Sequence, residues 1–149
     1  MASGLPVPEL NAFWILLGSI PVVTVLAWIV KPIYHALVLT PEALKEGQIH
    51  RLVTPAWVHS DVGHLAVNCL SLYFFGDKVR RDLGDARFFI LYGSAIIVAH
   101  VPSVIRFWNK RRYTFLGASG AVSAIIFSAI LFDPRLKLYL LFLPFAVPG

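Results

Sequence analysis

Residues able to do chemistry concentrate in two apolar runs of this chain. In Val62–Gly76, His64 and Asn68 stand four residues apart and Ser71 three further on, so a helix puts them on one face. In Tyr113–Phe132, Ser119 lies inside Gly117-Ala118-Ser119-Gly120. Glycines permit close approach and unusual backbone angles, so the chain can turn sharply and present Ser119 at a helix N-terminus. There its N–H points outward beside the positive end of the helix dipole. An exposed hydroxyl beside such donors is what nucleophilic attack with oxyanion stabilisation requires. Each signal also has a plainer reading, because polar side chains bond neighbouring helices in bundles, and Gly120 with Ala124 makes a small-xxx-small packing pair. Taken together, they offer one nucleophile and two oxyanion donors from two different runs. This arrangement predicts that Gly117 and Ala118 are non-helical beside a cavity, that a helix starts at or next to Ser119, and that His64 and Asn68 face its N-terminal end within a few ångströms of Ser119.

Other chemistries find no support. His50, His59 and His64 lack the spacing of a zinc site, and there is no H-E-x-x-H motif and no phosphate-binding glycine loop, so neither a metal nor a cofactor is expected. Cys69 is the single cysteine and cannot form an internal bridge. His100, in a third apolar run, reads as a packing or interface histidine.

The elements that must position these residues follow from composition. Of 149 residues 58% are hydrophobic and only 14% charged, against about 25% charged in soluble domains, and the mean hydropathy is +0.74. Disorder, a fibre and a disulfide scaffold are excluded, and an all-α membrane protein remains. A net charge of +5 could suggest nucleic acid, but the basic residues sit between apolar runs, as is normal at span ends; no nucleic-acid partner is expected. Crossing a bilayer takes about 20 apolar residues. Asn11–Val30, Phe88–Ile105 and Tyr113–Phe132 meet or approach that length, Val62–Gly76 is too short to cross upright, and Leu138–Gly149 supplies only the beginning of another span. The reading is a polytopic bundle of four spans plus the start of a fifth, residues 1–149 forming a single membrane domain truncated at its C-terminus. No Lys or Arg precedes Lys31, so the first run is read as a retained helix rather than a cleaved signal.

Lysine and arginine divide six to seven between the two sides, which leaves orientation open. The connection Lys31–Asp61 is rich in apolar residues, so it is expected to fold at the membrane interface, with Thr40 as N-cap and Pro41 opening a helix. Arg106, Lys110, Arg111 and Arg112 could meet lipid headgroups or simply form a basic loop end.

The run Gly47-Gln48-Ile49-His50-Arg51-Leu52-Val53-Thr54, followed by His59, His64, Asn68 and Gly76, resembles the first loop and second helix of rhomboid intramembrane serine proteases. Gly117-Ala118-Ser119-Gly120 resembles their nucleophile motif on the fourth helix. The resemblance runs from about Gly47 to Ser128. It implies a rhomboid-like helical bundle that hydrolyses peptide bonds of transmembrane substrates, in a membrane the sequence does not specify. Ser119 would be the nucleophile, and its N–H with His64 and Asn68 would form the oxyanion hole. Gly117 and Gly120 would support the motif, Arg51 would hold the loop, and His59 would have a structural role.

Three positions depart from the family pattern. His50 replaces a tryptophan, Arg80 stands where an acidic residue is usual, and Ser123 stands where an aromatic often packs. The family's base is a histidine on the sixth helix, and none of the five histidines here follows Ser119. A fragment of a longer protease accounts for that, and the alternative is a catalytically inactive rhomboid-like protein that binds membrane clients.

Overall fold

The computed structural model describes residues 11–110 and 113–134, with the backbone of 137–139 and 146–148. Arg111, Arg112 and Arg135, which entered the charge count, lie outside the described residues.

Helix α1 (Ala12–Ile29) opens where the Asn11 side chain accepts hydrogen bonds from the N–H groups of Phe13 and Trp14. It runs through Pro21 for 18 residues, about 27 Å at the usual rise. Two short helices follow, α2 (Lys31–Leu37) and α3 (Pro41–Lys45), then two 3₁₀ turns, Ile49–Leu52 and Thr54–Trp57. The Thr40 side chain caps α3 as its sequence suggests, accepting from Ala43 N–H at 3.2 Å, with Pro41 behind it. Val38, Leu39, Ala43, Ala56 and Val58 are buried, so this connection is a folded unit.

The run expected to be too short proves longer. Helix α4 (Val62–Ser71), a π-helical stretch Leu72–Gly76 and α5 (Asp77–Leu83) follow each other without leaving helical backbone, in 10, 5 and 7 residues, together about 33 Å. Charged Asp77 does not end the helix, because it takes Arg80 and Arg81, three and four residues on, as ion-pair partners. Gly84, at φ +82°, makes the reversal into α6 (Asp85–Phe107), and Arg80 spans that turn by pairing with Asp85 at 2.8 Å.

The fourth expected span is shorter than its apolar run. Helix α7 covers Ser119–Phe132 only. The residues before it are drawn into extended contact, with Phe115 and Leu39 exchanging backbone hydrogen bonds at 2.9 and 3.1 Å. The expected start of a fifth helical span at Leu138–Gly149 is corrected where the backbone is described. There β1 (Lys137–Tyr139) pairs antiparallel with β2 (Ala146–Pro148). Pro144 and Pro148 fall within this run, and each removes a helix donor. The remainder of the run lies outside the described residues.

The core is where α1, α4, α6 and α7 meet. Phe13, Leu16 and Ile20 of α1 bury against Leu72, Phe88, Ile96, Ala121 and Ile125. A Cβ at Gly76 would fall 2.5 Å from the Phe13 ring, and one at Gly120 would collide with Ala99, so the two glycines let helices touch. Facing outward are Ile15, Val22 and Ile29 of α1, Ile90, Val98 and Ile105 of α6, and Phe127 and Leu131 of α7. Helices α1 and α6 are each long and apolar enough to cross a membrane, and α7 is a shorter apolar helix.

Candidate active site

Helix α7 begins at Ser119 because three preceding backbone groups are held elsewhere. Gly117 adopts φ +102°, a conformation that L side chains rarely take. Its N–H donates to the Pro55 carbonyl at 2.9 Å, and the Ala118 N–H donates to His59 Nε2 at 3.3 Å. Phe115 is fixed by Leu39. Ser119 is therefore the first helical residue, and its N–H has no acceptor within the helix. Its side chain is exposed. The expected non-helical Gly117-Ala118 and the helix start are both found.

His59 is fully buried, and its tautomer follows from its neighbours. The Thr24 hydroxyl donates to the Trp57 carbonyl at 2.9 Å, so toward His59 Nδ1, at 3.1 Å, its oxygen can only accept. The proton is then on Nδ1, and Nε2 is the acceptor for Ala118. Burial, followed by the neighbouring His64, lowers the His59 pKa to about 4, against a smaller raising effect from Asp61. His59 is a neutral strut between α1 and the turn before Ser119. Trp28 fixes its backbone by donating to the His59 carbonyl at 2.8 Å.

His64 packs on that turn directly. A Cβ on Gly117 would lie 2.6 Å from His64 Cε1 and 2.9 Å from Nε2, so only glycine allows this approach. The His59 and His64 rings meet edge to face at 4.9 Å. Asp61 caps α4 by accepting from the His64 N–H at 2.8 Å, and it also accepts from the Ser60 hydroxyl at 2.7 Å. These bonds hold the Asp61 carboxyl below its ordinary pKa. With the Ser60 proton engaged, its oxygen accepts from His64 Nδ1 at 3.1 Å. His64 Nε2 faces the Gly117 turn, and it becomes a donor when the ring is the imidazolium.

Asn68 differs from expectation. It is buried, but its amide donates to the His64 carbonyl at 2.8 Å, and among the described residues it makes no hydrogen bond to Ser119. The carbonyl one turn back is the nearest acceptor in an apolar helix. Arg51 stays in the loop, donating to Val38 O at 2.9 Å, to Gln48 at 2.6 Å and to the His35 carbonyl. Gly120 seats α7 on α6. The His50 side chain is exposed, as is Ser123.

A cavity of about 460 Å³ opens beside Ser119, lined among others by Ser60, His100, Ser103, Thr114 and Leu116. His100 also lines this cavity, while being buried and bonded to the loop as a packing or interface histidine would be. The His100 Nδ1 donates to the Leu52 carbonyl at 3.2 Å. Sequence reasoning passed over Ser60 and Thr24. Thr24 carried a usable signal, being a polar residue within an apolar span. Among the described residues, no cluster of histidine, cysteine and carboxylate could hold a metal.

Helices α1 and α6 are long and apolar enough to cross a membrane and carry apolar outer faces, as an integral membrane protein requires. The rhomboid domain family model matches residues 46–148, and the chain belongs to the rhomboid family. RHOMBOID-like protein 12, mitochondrial, from Arabidopsis thaliana is 36% identical over 113 residues, which is 66% of this chain and 34% of that protein. Rhomboid protease GluP from Bacillus subtilis is 35% identical over 79 residues, 53% of this chain and 15% of that protein. The chain thus spans about a third or less of the length of these relatives.

Proposed function

We propose that this chain carries the nucleophile and oxyanion side of an intramembrane serine endopeptidase acting on transmembrane proteins. The observation that carries the reading is Ser119 at the head of α7, on a cavity and after a left-handed Gly117 against which the His64 ring packs. In this reading residues 1–149 form one multi-pass membrane domain, with α1, the helical run 62–83, α6 and α7 crossing the bilayer. A base removes the Ser119 Oγ proton, and the oxygen attacks the scissile carbonyl to give a tetrahedral adduct. The Ser119 N–H and protonated His64 donate to its oxyanion, and Asn68 joins them by turning its amide from the His64 carbonyl. The leaving amine takes the proton from the base, and water from the cavity then hydrolyses the acyl-enzyme.

No histidine follows Ser119 in the sequence, so the base in this reading belongs to sequence beyond these 149 residues, as the coverage of the relatives allows. The same fact favours a second reading, a rhomboid-like protein that binds membrane clients without cutting them. Reconstitution in lipid with a transmembrane reporter tests both, using the 149-residue chain, a longer parent that contains it, and the parent with Ser119→Ala. Cleavage by the unmodified parent alone supports the protease. Equal cleavage by the Ser119→Ala parent removes the serine mechanism. Reporter binding without cleavage by any of them supports the second reading.

A further inference from the structure

The two ends of the bundle hold similar numbers of cations in different electrical states. At the end remote from Ser119, Lys78 pairs with Asp82, Arg80 with Asp77 and Asp85, and Arg81 with Asp77, leaving Arg87 as the one cation there without an ion pair among the described residues. At the Ser119 end, Lys31, Lys45, Arg106 and Lys110 are exposed, and among the described residues none has an ion pair. The connections 31–61 and 106–118 hold seven Lys and Arg against three carboxylates, Glu42, Glu46 and Asp61. Asp61 is already engaged by Ser60 and the His64 N–H.

These cations are set among rings. Lys45 Nζ lies 5.2 Å from the Trp108 ring centre, tying α3 to the end of α6, and the Arg106 guanidinium lies 5.4 Å from the Phe107 ring. Phe107 stacks on Tyr113 at 3.8 Å. Trp108 and Tyr113 are each 40% exposed, and Val101 and Ile105 are exposed on the preceding turns of α6. Going up this face, apolar side chains give way to aromatic rings and then to cations, the profile of a membrane–water interface. Phosphate oxygens of a net-negative headgroup would supply the counter-charge these side chains lack.

We propose that Lys45, over the Trp108 ring, together with Arg106 and Lys110 at and just past the end of α6, forms a docking surface for anionic phospholipid headgroups. The surface adjoins the Ser119 cavity, because Phe115 lines that cavity and its ring is 6.0 Å from Phe107. The inference requires no catalytic activity.

The protein in micelles containing equal phosphatidylglycerol and phosphatidylcholine, with bound lipids counted by native mass spectrometry, provides the test. Preferential retention of phosphatidylglycerol is expected. Changing Lys45, Arg106 and Lys110 to glutamine should weaken it about five-fold per cation, the equivalent of about 1 kcal/mol each. The charge-keeping set Lys45→Arg, Arg106→Lys and Lys110→Arg should bind as the parent does. Glutamine at Lys78, Arg81 and Arg87 should leave binding unchanged, and millimolar inorganic phosphate should not displace the lipid. Equal retention of the two lipids by the unaltered protein overturns the proposal whatever the variants do. So does an equal loss in the far-end set, or displacement by phosphate, which would indicate a free-anion site.

Discussion

Acidification should loosen the turn that presents Ser119, with His59 contributing a separable part. The ring is neutral in the fold, with Nε2 accepting from Ala118 and Nδ1 donating to Thr24. A second proton would set an N–H against the Ala118 N–H inside a fully buried site. The pKa is accordingly lowered from 6.5 to about 4. The sign follows from proton counts: between these values the unfolded chain binds a proton that the folded one refuses, so stability falls as pH falls. The loss begins near pH 6.5, is complete near pH 4, and amounts to about 3 kcal/mol. Above pH 6.5 this group contributes no pH dependence.

The assay is denaturant unfolding in detergent at pH values from 4 to 8, comparing the protein with His59→Gln, which can still donate and accept but does not titrate. Carboxylates titrate in both proteins, so the difference between their slopes isolates His59. The parent should lose about 3 kcal/mol more than the variant over this window. Identical slopes would refute the neutral-strut assignment.

Two further outcomes are expected. Gly117→Ala forces a side chain into φ +102° and against the His64 ring. The left-handed backbone alone costs about 1–2 kcal/mol, so the unfolding midpoint should fall, and labelling of Ser119 by a serine-reactive phosphonate should fall with it. Ser60→Ala removes the acceptor of the His64 Nδ1 proton at an exposed position. Stability should change by less than about 0.5 kcal/mol, while Ser119 labelling slows because the His64 ring loses the contact that orients it; unchanged labelling would mean that Ser60 does not position His64.

Local chemistry and periodicity already determined several features. Thr40-Pro41 specified its own helix start, since a cap needs only the neighbouring N–H groups. Gly117 announced a backbone that few other residues adopt, and the apolar runs of α1 and α6 announced helices, because intrahelical bonding is the way such stretches satisfy their backbone. The His64–Asn68 spacing placed both on one face of α4.

Tertiary structure decided what those faces meet. Ser119 heads its helix because Leu39, Pro55 and His59, distant in sequence, take the backbone of Phe115, Gly117 and Ala118, and no pattern within 113–132 records those partners. The extension of the second helical run to Leu83, by contrast, was legible locally, since Asp77 pairs with Arg80 and Arg81 three and four residues on. The Asn68 amide turned to the His64 carbonyl of its own helix, a partner choice that the one-face spacing did not fix. The burial that lowers the His59 pKa comes from packing α1 against the loop. Spacing gives the direction in which a side chain leaves its helix, whereas its proton, its partner and its access to water depend on atoms supplied by other segments.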